Sequence, residues 1–145
     1  MTTNPLRVFG SAPQGAFCRK RLAAYAVIKD AHGQVAAVDS RVGDKIKYWL
    51  LGGGMHSGET PAETIVREVR EEVGRAARAG ESLGTAIQFF YAHDEGEWYE
   101  MTATFLRAEF DGETGEPAER ELRWVDADRQ GDLFFHASHV WAAAL

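Results

Sequence analysis

Cysteine is nearly missing from this 145-residue chain. Cys18 stands alone, so no intrachain disulfide can form, and a reducing compartment is expected. Long apolar runs are missing too. No stretch approaches the ~18 consecutive apolar residues of a membrane-spanning helix, and no basic-then-apolar segment opens the chain. A soluble, unexported, cytoplasmic protein with no membrane partner is therefore expected. Nor is there an excess of positive charge. The formal net charge of −6 argues against wrapping a nucleic-acid polymer. A small phosphorylated ligand stays open, because bound metal inverts the local field. Repeats, low-complexity tracts and linkers are also missing, so one domain over 1–145 with a proper core is expected.

What the chain does have is concentrated between Gly53 and Gly74. Seven fixed residues (Gly53, Glu59, Arg67, Glu68, Glu71, Glu72 and Gly74) follow the pattern G-x5-E-x7-R-E-aliphatic-x-E-E-x-G. At ~7% background per residue, a chance match is about one in a hundred million per window. Trp49-Leu50-Leu51 runs into three glycines and reads as a strand entering a tight turn. Thr60 as N-cap, Pro61 at the first helical position and Glu63 three residues after the cap predict a helix start, and Gly74 a stop. Ala62, Ile65, Val66, Val69 and Val73 share a stripe about 100° wide, which must be buried.

The acids do not lie opposite that stripe. Glu68, Glu71 and Glu72 project within about 100° of one another, with Glu72 at the stripe's edge. Three carboxylates beside a buried face repel, and a cation is needed to settle them. Oxygen ligands at this density suit a hard divalent ion, Mg²⁺ or alternatively Mn²⁺. The plainer alternative is an acidic surface helix with Arg67 and Arg70 as ion-pair partners. Arg67–Glu71 has the less favourable i,i+4 order for that role.

Around the motif the pattern is mostly strands. Ala23 to Ile28, Val35 to Val38, Ile46 to Leu51, Ser82 to Tyr91, Trp98 to Phe110 and Leu122 to Val125 read as strands. His93 to Glu97 reads as a hairpin tip, Asp111 to Glu119 as a loop and Ala137 to Leu145 as a helix. Periodicity alone leaves α/β and α+β arrangements open.

The Gly53–Arg75 segment resembles the signature of the Nudix hydrolases, which cleave a diphosphate linkage in a nucleoside diphosphate joined to another group. The opening Arg7-Val8-Phe9-Gly10 and the closing Ser138-His139-Val140-Trp141-Ala142 are similar to a bacterial subgroup that brings no fixed substrate. The resemblance implies an α/β/α sandwich around a mixed sheet. It also implies a metal site formed by Glu68, Glu71, Glu72 and the Gly52 carbonyl, with Arg67 and Glu59 as an orienting pair. A general base is implied either in the motif or just ahead of a late strand, where Glu119 and Glu121 stand and Glu119 is preferred. Three positions depart from the family pattern: Leu51 replaces a proline, His56 a glutamate, and Arg75 an aliphatic residue.

The expected partner is a small nucleotide-type molecule. Phe90 and Tyr91 are candidates to stack its base, and His56 to touch it, although core packing is the simpler role for strand aromatics. Arg19-Lys20-Arg21 and Lys45-Lys47 either meet distal phosphates or solvate strand ends, and His136 and His139 read as structural. A homodimer is compatible with the family. The rival reading is a non-catalytic Nudix-fold module that senses a nucleotide. Such modules usually lose motif glutamates, and here all three stand.

Overall fold

The helix predicted by the capping residues forms at Pro61–Val73 (α1). Thr60 Oγ1 accepts from the Glu63 N–H at 3.2 Å, and Glu63 Oε1 accepts from the Thr60 N–H at 3.1 Å. Gly74 ends the helix in the left-handed region at φ +69°, as a residue without Cβ does cheaply. The computed structural model describes residues 6–145. Besides α1 it contains strands β1 (Arg7–Phe9), β2 (Cys18–Val27), β3 (Val35–Val42), β4 (Lys45–Gly54), β5 (Arg75–Ala92), β6 (Glu97–Glu113) and β7 (Arg123–Val125). The remaining helices are α2 (Ala127–Gln130) and α3 (Ala137–Ala143).

The strands form one sheet in the order β1-β5-β6-β2-β4-β3-β7. The β1–β5 and β2–β6 pairs are parallel and the others antiparallel, so the sheet is mixed. Alternation along β2 divides the core. Tyr25 and Val27 join Leu50, Met101, Phe105, Phe134 and Ala142 on the α3 side. Ala24 and Ala26 join Leu51, Ile65, Val69 and Leu106 on the α1 side, where small alanines leave room for the helix. The α/β/α sandwich is therefore the architecture.

Several boundaries differ from the sequence expectation. β5 begins at Arg75, not Ser82, because Arg75–Ala79 pairs with the far end of β6. Arg-Ala-Ala-Arg-Ala has little intrinsic strand preference, and cross-strand pairing overrides it. For the same reason Asp111–Glu113, expected in a loop, extends β6. β2 starts at Cys18, its first half paired with β6 alone. The short α2, capped by Asp126, was not foreseen. Among the described residues no helix is long and apolar enough to cross a membrane.

His139 has a structural task. β4 pairs with β3 up to Leu50 and with β2 from Leu51. At that switch the Leu50 N–H donates to His139 Nδ1 at 3.1 Å, and the imidazole lies 4.2 Å from the Tyr25 ring. Burial pushes the His139 pKa well below the usual range and lowers that of His136 to about 3. A histidine whose folded pKa is depressed costs nothing above its unfolded value, ~6.5, and lowers stability as pH falls below it. His136→Phe should therefore narrow the pH dependence. The wild-type stability relative to the variant should drop by about 2 kcal/mol between pH 7 and pH 5, read from urea midpoints. Taking this difference removes the carboxylate contributions common to both proteins. An unchanged difference across that window would refute the assignment.

Candidate functional site

The three glycines that end β4 each make room for a different group. At Gly52, φ is +144°, and a Cβ there would lie 2.2 Å from the Ala24 carbonyl oxygen and 2.7 Å from Tyr25 Cα. At Gly53 the same atom would lie 2.9 Å from Glu68 Oε1. At Gly54 it would lie 3.1 Å from an Arg21 terminal nitrogen. The three glycines, expected in a tight turn, instead continue β4 as strand, because they pair with Ala23–Tyr25 of β2, and they admit backbone of β2, a carboxylate of α1 and a guanidinium of β2 in succession.

Arg67 organises the loop. Its Nε and Nη2 donate to the two oxygens of Glu59 at 2.7 and 2.9 Å, and Nη2 also donates to the Gly54 carbonyl at 3.0 Å. Glu59 further accepts from the His56 N–H at 2.7 Å and the Thr64 hydroxyl at 2.9 Å. The Arg67 hydrogen bonds, followed by that of the His56 N–H, hold the Glu59 carboxyl down at about 2. With its acceptor sites taken, Glu59 acts on the loop's shape. The remaining Arg67 nitrogen reaches Glu68 at 2.9 Å and Glu71 at 3.4 Å.

Glu72 is in a different position. Only 9% exposed, it accepts from the Gly52 N–H at 2.9 Å. Burial, only partly offset by that hydrogen bond, pushes its carboxyl up to about 8, and burial raises Glu68 as well. A desolvated carboxylate with one neutral donor calls for a cation. The donor chemistry, carboxylate oxygens beside the glycine carbonyls that end β4, fits a hard divalent ion. Among the described residues no three acidic, histidine or cysteine side chains already converge as a cage. Arg67 draws Glu68 and Glu71 toward itself, and Glu71 stays exposed.

Glu72 also lines a cleft, together with Gly52, Gly53, Arg21 and Arg120. Trp49, Phe90, Tyr91, Phe135 and His136 also line it. Phe90 stacks on Tyr99 at 5.3 Å and meets His136 at 4.7 Å. Tyr91, next in the strand, packs with Trp98 and His93. His56 is exposed on the loop and does not line the cleft.

Glu119 and Arg120 follow the helix closely, their N–H groups donating to the Glu71 and Glu72 carbonyls at 3.1 and 2.8 Å. Glu119 thereby stands near Glu72, whereas Glu121 turns to Arg123 at 3.2 Å. Two of the three departures from the family pattern are absorbed by packing, while His56 stays exposed. Leu51 is fully buried on the α1 side, and Arg75 lies over the Phe110 ring at 5.0 Å. Trp49, Phe135, His136 and Arg120 were not singled out for the site from sequence. The only available signal was the Phe134-Phe135-His136 run before the last helix.

Comparison with known proteins agrees with this arrangement. The chain is similar in fold to a NUDIX hydrolase from Nitrosomonas europaea (TM-score 0.68, 16% identity, 87% of each chain covered). It is similar also to a MutT protein from Methanosarcina mazei Go1 (TM-score 0.62, 20% identity, 88% of this chain and 92% of that one). A third is the E. coli dihydroneopterin triphosphate pyrophosphohydrolase (TM-score 0.62, 18% identity, 84% of this chain and 91% of that one). The NUDIX domain model matches residues 19–139, which include the glycines that end β4, α1 and the whole cleft. On that match, the chain belongs to the Nudix family.

Proposed function

We propose that the chain is a divalent-metal-dependent pyrophosphohydrolase acting on a nucleoside diphosphate derivative. The observation that carries this reading is the buried Glu72 carboxylate, fixed by the Gly52 N–H beside Glu68 at the head of an aromatic cleft. Glu68, Glu71, Glu72 and the Gly52 carbonyl are the residues that would hold Mg²⁺ or Mn²⁺. The chemistry supplied there is neutralisation of phosphoryl oxygens and acidification of a water molecule. Arg67 and Glu59 keep α1 and the loop in register, and Arg67 holds the Glu68 carboxylate beside Gly53. Glu119, held beside Glu72 by its backbone bond to α1, is the preferred group to take the water's proton. The aromatic end receives the planar part of the substrate, with Phe90 contributing to its wall.

The test is a screen of nucleoside triphosphates (oxidised forms included), nucleotide sugars and dinucleoside polyphosphates with Mg²⁺ or Mn²⁺. Products are analysed to locate the bond cleaved. Release of a nucleoside monophosphate or of pyrophosphate, dependent on metal and stopped by chelator, is the expected result. Binding of nucleotides without product under any metal would replace this reading with a nucleotide sensor.

A further inference from the structure

Two buried polar atoms in cleft-lining side chains have no partner among the described residues, Arg21 Nε and His136 Nδ1. An unmet buried donor is destabilising, so its retention points to a ligand. Arg19, two positions earlier in β2, pairs with Glu97 at 3.0 Å, and Arg120 gives a nitrogen to the Asp39 carbonyl at 2.9 Å. Arg21 instead lies along Gly54, one residue from Gly53, against which the Glu68 carboxylate packs. Its charge acts on Glu68 on one side and on Tyr25 and His136 on the other. A guanidinium beside carboxylates that bind a divalent cation would repel that cation. An anion lying between them removes the conflict, and a phosphate matches the guanidinium fork.

We propose that Arg21 is a substrate-binding residue. Its guanidinium receives the phosphate adjoining a planar ring seated against Phe90, Phe135 and His136, so it joins the aromatic end of the cleft to the acidic end. The proposal rests on the reading that the cleft takes a nucleoside diphosphate derivative, and it adds the residue that holds the phosphate nearest the nucleoside.

The experiment uses the full chain in excess EDTA, so that it needs neither metal nor turnover. Binding of AMP, GMP, CMP and UMP, and of the four parent nucleosides, is measured calorimetrically for wild type, Arg21→Gln and Arg21→Lys. Wild type is expected to bind at least one monophosphate more tightly than its nucleoside. Arg21→Gln should weaken that monophosphate by about tenfold or more, the usual worth of a charged hydrogen bond, and leave the nucleoside within about twofold. Arg21→Lys should recover part of the loss, since it keeps the charge without the fork. If Arg21→Gln melts early, Arg21→Lys alone carries the comparison. With Mg²⁺ and a cleaved substrate, Arg21→Gln should raise KM more than it lowers kcat. Equal losses for nucleoside and monophosphate would overturn the proposal, as would unchanged monophosphate affinity or a wild type with no preference for the monophosphate. Failure of wild type to hydrolyse any diphosphate would instead sink the functional reading, and the metal-free comparison would still decide the role of Arg21.

Discussion

Glu72→Gln is expected to lower kcat by about 10³-fold or more while the metal-free protein melts no lower than wild type. The two halves have one cause. Glu72 is buried with a single neutral donor, the Gly52 N–H at 2.9 Å. Glutamine keeps an oxygen for that N–H and is neutral, as the metal-free Glu72 carboxyl, raised to about 8 by burial, mostly is at pH 7, so the fold loses little. In the proposed site the same change would withdraw an anionic metal ligand, and such electrostatic losses run to ~10²–10³ or beyond. A mutation at a purely structural acid would show the reverse pattern, a lower melting temperature with activity per folded molecule preserved. Unaltered Mg²⁺-dependent hydrolysis in Glu72→Gln would remove this residue from the metal site.

The largest effect on stability is expected at Gly52. Gly52→Ala places a methyl group 2.2 Å from the Ala24 carbonyl and 2.7 Å from Tyr25 Cα, at a φ of +144° that side-chain-bearing residues rarely adopt. The atoms met are backbone in the centre of the sheet, so no side-chain rotation relieves the clash. A loss of about 4 kcal/mol or more, or failure to accumulate folded protein, is the expected outcome. Gly58→Ala is the control. It also sits at positive φ, +85°, but nothing lies within 4 Å, so only the conformational cost of about 1 kcal/mol applies. Urea denaturation of both variants checks the contrast. A Gly52→Ala midpoint close to that of Gly58→Ala would show that the end of β4 can shift, and that its close approach to β2 is not what holds Glu72.

How much of this was legible in the sequence follows the range of the interactions. The capping box of α1, its Gly74 stop and the Arg67–Glu59 pair span eight residues or fewer, and their signals lie side by side in the chain. The fold class was legible because the motif carried a family resemblance, whereas alternation alone did not separate α/β from α+β. The long arm of β5 was not legible, since Arg75–Ala79 becomes strand only because β6 lies beside it. The cleft was least visible. Trp49, Phe135 and His136 come from segments far apart in the chain, and a fold is needed to bring them to the glycines that end β4. Phe90 and Tyr91 were both found by their aromatic character. Their different neighbours, Tyr99 and Phe135 for one, Trp98 and His93 for the other, depend on register.

The parallel ladder between β2 and β6 pairs Cys18 with Trp98 and continues to Val27 with Arg107. Such pairing gives the molecule a high contact order, which slows folding because a long loop must close before the contacts that reward it form. A chain emerging from the ribosome therefore displays the entire glutamate motif, through Gly74, well before the ladder can close. Phe135 and His136 follow only after β5, β6 and β7 have been made. The nascent protein therefore carries Glu68, Glu71 and Glu72 before the segments that line the cleft, so the acidic and aromatic parts of the site are made in two stages.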